Sequence, residues 1–201
     1  MRPSFSGSVE AVVIGGSAGS VELLLKVLPR LPADFQPAVL VCIHAAANTT
    51  QGLVELLAER TELPVSEAED KQLIAPGHIH LAPGGYHLLV ERDRSLSLSL
   101  DPPVLHARPS IDVLFESAAD CYQNQLVSLL LTGASADGAR GSLRVRQQGG
   151  RVLVQEPTSA AVATMPQALL ALLQPDAILH PDEMAPLLTR LGSSLVHSVP
   201  P

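Results

Sequence analysis

Tryptophan is absent, aromatic residues make up 2% of the chain, and two cysteines occur in 201 residues. With so few rings, stacking on bases is not on offer. Cys42 lies in an apolar strand pattern and Cys121 near a helix end, with no C-x-x-C, so reduced, buried thiols are expected rather than a disulfide framework or a metal site. No apolar run approaches the length needed to span a bilayer. The opening M-R-P-S-F-S-G-S has no apolar core of a signal peptide, so a cytoplasmic location without membrane insertion is expected. Basic clusters are missing as well. A net charge of −7 and a pI of about 5.4 argue against a nucleic-acid partner.

What remains is 46% hydrophobic and 16% charged, a globular balance whose core falls to Leu, Val, Ile and Ala. The length suits one domain that needs no staples. We expect an N-terminal extension over residues 1–10, a domain over 11–192 and a loose tail over 193–201.

The stretch A-V-V-I-G-G-S-A-G-S, residues 11–20, organises the rest. A β-branched run breaks into small residues, and an apolar helical pattern resumes at Val21, Leu24, Leu25 and Leu28. Within the turn, Gly15-Gly16-Ser17-Ala18-Gly19 fits the G-x-S-x-G elbow, which lifts a serine hydroxyl above a sheet edge. Ser17 is the candidate nucleophile, and the first helical amides beyond it suit a developing oxyanion. Two alternatives stand beside this. The turn is only a tight connection, or it holds a phosphate in a dinucleotide unit, although G-x-G-x-x-G would need glycines where Ser17 and Ser20 stand.

Residues 38–43 form an apolar run of the kind buried on both faces of a parallel sheet, closed by His44. The loop 45–50 leads to a helix with Leu53, Leu56 and Leu57, and a brief strand follows at 64–67. Residues 78–82 and 86–90 flank Pro83-Gly84-Gly85 and read as a β-hairpin, and 95–100 alternates Ser and Leu as a half-buried strand does. From Pro109 the α/β rhythm returns. Ser110 caps a helix with the stripe Ile111, Leu114, Phe115 and Ala118. A strand at 126–131, a small-residue turn at 132–138 and a helix at 139–148 come next. Arg151 opens another strand, Pro166 a helix with Leu169, Leu172 and Leu173, and Pro181 a last helix after a short strand at 177–179. The expected fold is α/β, a doubly wound, mainly parallel sheet with helices on both faces and an inserted antiparallel hairpin.

Ser17, His44 and Asp137 each lie at or just past the C-terminal end of an expected parallel strand, where open α/β sheets place their sites. Serine needs a base, histidine has the pKa for one, and a carboxylate orients the imidazole. Taken singly, His44 is also readable as a satisfied strand-end histidine and Asp137 as a cap for the helix that follows. The α/β-hydrolase order Ser, acid, His would instead recruit His180 or His197 with Asp137 or Asp176. His78, His80 and His87 read as surface histidines of an edge hairpin rather than as a metal site, because no further soft ligands gather nearby. H-A-R-P, residues 106–109, reads as a structural loop in which Arg108 anchors the chain or faces a substrate.

V-I-G-G-S-A-G-S, C-I-H, A-P-G-H-I-H-L-A-P-G-G-Y-H, H-A-R-P-S-I-D-V-L-F and L-L-T-G-A-S-A-D-G-A resemble, in order, the motifs of the CheB-type chemotaxis protein-glutamate methylesterase catalytic domain. The resemblance runs from Val12 through Met165-Pro166. It implies a Rossmann-like methylesterase fold, a Ser-His-Asp triad on Ser17, His44 and Asp137, and oxyanion donors on the Ala18 and Ala134 amides. It implies a serine esterase without cofactor or metal, hydrolysing glutamate γ-methyl esters on the cytoplasmic helices of methyl-accepting chemotaxis receptors, with deamidation of receptor glutamines as a second activity. The alternatives are a non-catalytic interaction module of the same fold, or an esterase acting on another substrate. The chain departs from the family where Ala18 replaces a frequent threonine, Ser20 a common glycine and Ala134 a frequent methionine, and where A-V-A-T precedes Met165-Pro166. The family's usual receiver domain is not expected here; the chain reads either as an excised catalytic domain or as a free-standing one, and the second would need another means of control, for which a separate regulatory protein is one candidate.

Overall fold

The computed structural model describes residues 8–44 and 50–193. The loop expected at 45–50 falls outside the described residues except for Thr50, as do most of the expected N-terminal extension and C-terminal tail. His197 lies in that tail.

The chain alternates strand and helix from the start. β1 (Ala11–Gly16), α1 (Ser20–Val27), β2 (Ala38–Ile43), α2 (Thr50–Ala58) and β3 (Val65–Glu67) lead into β4 (Ile79–Leu81). A hairpin of β5 (His87–Val90) and β6 (Leu96–Ser99) follows, then α3 (Ile111–Tyr122), β7 (Leu126–Leu130), α4 (Ala139–Gln147), β8 (Arg151–Gln155), α5 (Thr164–Leu172), β9 (Ala177–Leu179) and α6 (Pro181–Gly192). Seven strands form one parallel sheet in the order β3-β4-β2-β1-β7-β8-β9. All six residues of β1 and of β2 are buried, as central strands covered on both faces require. Val12, Ile14, Val39 and Val41 pack on one side with Leu24, Leu57 and Leu188 of α1, α2 and α6. Val13 and Leu40 pack on the other with Leu114, Val145 and Leu169 of α3, α4 and α5.

The hairpin differs from expectation. Residues 79–81 join the parallel sheet between β3 and β2, and the antiparallel pair is β5 with β6, a separate two-stranded sheet. Pro83-Gly84-Gly85 has the composition of a hairpin turn, but its amides serve other segments: Gly84 N–H donates to Thr50 Oγ1 at 3.2 Å and Gly85 N–H to the Arg108 carbonyl at 3.2 Å. Leu88, Val90 and Leu96 then press the small sheet onto the α3 side of the core. Two helical stripes are one residue narrower than expected, since Val21 and Leu172 are exposed.

From β1 the chain steps through β2 to one edge of the sheet, then returns to β7 on the other side of β1. The reversal leaves a crevice beyond the C-terminal ends of β1 and β7, the position at which doubly wound sheets hold their ligands.

Candidate active site

Ser17 is the first residue past β1. Its N–H donates to the Thr132 carbonyl at 2.9 Å, and its carbonyl accepts from the Ser20 N–H at 3.0 Å and the Ser20 hydroxyl at 2.6 Å. Gly19, at φ +82°, turns the chain into α1. The Ser20 hydroxyl therefore closes the elbow from inside, at a position where the resemblance led us to expect glycine. Ser17 is left half-buried and Ala18 exposed.

His44 follows β2. Gly16 and Ile43 are register partners, and the His44 N–H donates to the Gly16 carbonyl at 3.2 Å. Ser17 and His44 thus leave neighbouring strands at the same level, a strand spacing of about 4.8 Å apart. His44 Nε2 lies 2.7 Å from Asp137 Oδ2, with His44 18% exposed and Asp137 fully buried. Among the described residues no hydrogen bond joins Ser17 Oγ to His44. The structure thus joins His44 to Asp137 directly and sets Ser17 beside them through the backbone.

Asp137 does not cap the helix that follows it. Its carboxylate accepts the Ile111 N–H at 2.7 Å, the Asp112 N–H at 2.9 Å and the Ser110 hydroxyl at 2.9 Å, so it caps α3, a helix that begins 26 residues before it. Ser110, expected to cap α3 with its own side chain, gives its hydroxyl to Asp137 instead. Burial alone would raise the Asp137 carboxyl. The hydrogen bonds from His44, the Asp112 and Ile111 amides and the Ser110 hydroxyl outweigh it and hold the group below its ordinary range. An ionised carboxylate only accepts, so the His44 Nε2–H donates to Asp137.

A second carboxylate mirrors the first. Asp112 Oδ1 accepts the Gly138 N–H at 2.9 Å and the Gly141 N–H at 2.6 Å, capping α4 as Asp137 caps α3. Burial, opposed by those amides and reinforced by the Asp137 charge, pushes Asp112 up to about 6. The two helix N-termini are tied to each other, and Asp137 sits in the knot.

The Ala18 and Ala134 amides make no hydrogen bond among the described residues. A Cβ placed on Gly133 would lie 3.0 Å from Ser17 Cβ, so residues 133–134 run past the serine. What the sequence did not reveal is the support beneath. Thr132 N–H donates to Gln155 Oε1 at 2.8 Å. The Thr132 hydroxyl accepts from the Val162 N–H at 2.9 Å and donates among the Ala18 and Val162 carbonyls at 3.0 and 3.1 Å. Gln155 is fully buried and holds the Ser159 carbonyl with its amide group at 3.1 Å. The one signal was a polar residue ending an apolar strand.

His78, His80 and His87 are placed elsewhere. His80 and His87 are buried, against the surface position expected of them. His78 and His80 stack with ring centroids 4.3 Å apart, while His87 accepts the Ser110 N–H at Nδ1 (3.1 Å) and bonds the Pro102 carbonyl through Nε2 (3.2 Å). Among the described residues no three side chains gather as metal ligands. His180 begins α6, where its N–H donates to Glu183, and Asp176 binds Arg146 and the Val152 N–H, so these two residues of the other hydrolase order hold helix and strand ends, while His197 falls outside the described residues. Cys42 and Cys121 are free thiols, and burial pushes the Cys42 thiol up.

A doubly wound parallel sheet with serine, imidazole and carboxylate gathered at its switch point defines an α/β domain of the esterase class. The family model described as CheB methylesterase matches residues 12–188, and the chain belongs to that family. A relative from Leptospira interrogans is 37% identical over 185 residues, 92% of this chain and 96% of that one. The protein-glutamate methylesterase/protein-glutamine glutaminase of Bordetella parapertussis is 36% identical over 197 residues, 96% of this chain but 56% of its own length. The crystal structure of the Thermotoga maritima CheB methylesterase catalytic domain superposes with a TM-score of 0.88 at 29% identity, covering 92% of this chain and all of that one. No helix among the described residues is long and apolar enough to cross a membrane.

Proposed function

We propose that this protein is a serine esterase that removes the methyl group from glutamate γ-methyl esters of chemotaxis receptors and deamidates receptor glutamines at the same site, working in the cytoplasm. Ser17 Oγ attacks the γ-carbonyl carbon while its proton passes to His44 Nδ1, and the imidazolium is steadied through Nε2–H by Asp137. The oxyanion takes the Ala18 and Ala134 amides. Collapse of the tetrahedral intermediate expels methanol, protonated by His44, and leaves an acyl ester on Ser17. Water, deprotonated by His44, then attacks that ester and frees glutamate and the serine. With glutamine the leaving group is ammonia and the rest is unchanged.

The observation that supports the reading best is the 2.7 Å pairing of His44 with a buried, four-times-bonded carboxylate, one strand away from a serine elbow. The missing link, a hydrogen bond from Ser17 to His44, forms in the reacting complex, since such contacts are often loose without substrate. The test is methanol release from receptor membranes carrying radiolabelled methyl esters. Wild-type protein releases methanol and Ser17→Ala does not. Equal release by the two overturns the mechanism, and no release by either favours an interaction module of the same fold.

A further inference from the structure

Between β6 and α3, Val104 and Ala107 exchange two backbone hydrogen bonds of 3.0 and 2.8 Å, enclosing a two-residue turn. The enclosed residues, Leu105 and His106, have φ of +47° and +67°. Positive φ at both central positions is what Asn-Gly ordinarily supplies, and a bulky side chain such as leucine is rare and strained there. Packing among the described residues does not explain the choice, because Leu105 is 51% exposed and His106 is exposed too.

The turn is held firmly and in a particular place. Arg108 Nη1 donates to the Leu100 and Asp101 carbonyls at 2.9 and 3.2 Å, and the Arg108 carbonyl accepts the Gly85 N–H at 3.2 Å. The segments so joined carry Tyr86, Leu100 and Leu105, three of the seven large apolar side chains exposed among the described residues. Leu105, His106, Ala107 and Arg108 share a cavity of about 250 Å³ with His44, the base of the reaction. A strained turn therefore presents an apolar side chain to solvent at the rim of the reacting centre. Strain of this kind persists where function requires it.

We propose that the Leu105-His106 turn is the specificity-determining element for the polypeptide that carries the ester. Leu105 receives an apolar side chain of that polypeptide flanking the glutamyl methyl ester, and His106 borders the path by which the ester reaches His44. This inference rests on the esterase reading above and adds the element that separates a protein substrate from a small one.

The test replaces both residues by the pair the turn prefers, Leu105→Asn with His106→Gly, which keeps the backbone and removes both side chains. Methanol release is measured on methylated receptor membranes and on N-acetylglutamate γ-methyl ester. The ratio of the two kcat/KM values, receptor over small ester, falls about tenfold or more, as loss of a buried leucine contact implies. A ratio within twofold of wild type overturns the proposal. Should the double variant fold poorly, Leu105→Ala takes its place, and the same fall or constancy of the ratio supports or overturns the proposal. Wild-type protein active on the small ester alone overturns the substrate assignment, and wild-type protein active on neither overturns the esterase reading itself.

Discussion

Four donors meet on the Asp137 carboxylate, and each oxygen receives two of them: His44 and the Ile111 amide on Oδ2, the Ser110 hydroxyl and the Asp112 amide on Oδ1. An asparagine there must aim its NH2 at one of these pairs, so a donor faces a donor whichever way it turns. Asp137→Asn should lose about 1–3 kcal/mol of stability in urea unfolding, and kcat for ester hydrolysis should fall by a factor on the order of 10⁴, since the imidazole loses the acceptor that fixes its tautomer. His80 gives a different residue-scale prediction. Its two ring nitrogens are buried without partners, and burial, with His78 beside it, pushes its pKa down to about 4. The unfolded chain takes up the proton first, so this contribution to stability is full above about pH 6.5 and is lost as the pH falls toward 4. Asp112, raised to about 6, acts in the opposite sense. The comparison is therefore with His80→Leu, which retains Asp112. Between pH 7.5 and pH 4.5 the unfolding free energy of wild type should drop relative to that of His80→Leu by about 2–3 kcal/mol.

At the scale of elements, the site depends on how closely α3 lies on β1. A Cβ on Gly15 would overlap the Ile111 side chain and stand 3.1 Å from the Phe115 ring. Ile111 is also the residue whose amide holds Asp137, so crowding at β1 reaches the carboxylate through one helix turn. Gly15→Ala should cost about 1–3 kcal/mol in urea unfolding, with esterase activity reduced even where the variant is fully folded. Strands such as β2 and β7 were legible because a six-residue apolar run, or five residues interrupted only by Ser128, has few other uses in a chain of this composition. The pairing of β4 was not legible, because Pro-Gly-Gly is a local signal of a turn whereas strand pairing is decided by distant partners. Here Ile79 and His80 fit beside Val39 and Leu40, and the glycine amides went to Thr50 and Arg108. Asp137 was legible as a cap but not as a cap for α3, since nothing in the local sequence says which helix N-terminus will face it.

For the whole molecule, the reversal of strand order around β1 converts three residues separated by up to 120 positions into neighbours above one sheet edge. The serine elbow and the strand-end histidine could be read from small residues and an apolar run. The support beneath them, Thr132 with Gln155, could not, because it joins the ends of β7 and β8 only once the sheet is formed. The same topology leaves Ser17 and His44 at the ends of neighbouring strands, with the imidazole already bonded to Asp137; in the proposed mechanism this placement is what makes Ser17 a nucleophile rather than an ordinary serine. The most direct measurement is intact-protein and peptide mass spectrometry after treatment of the native chain with a fluorophosphonate. One adduct on Ser17, strongly diminished in His44→Ala and absent after unfolding in urea, is the predicted result. No adduct on the native protein, or labelling of Ser17 that is indifferent to His44, would contradict the account.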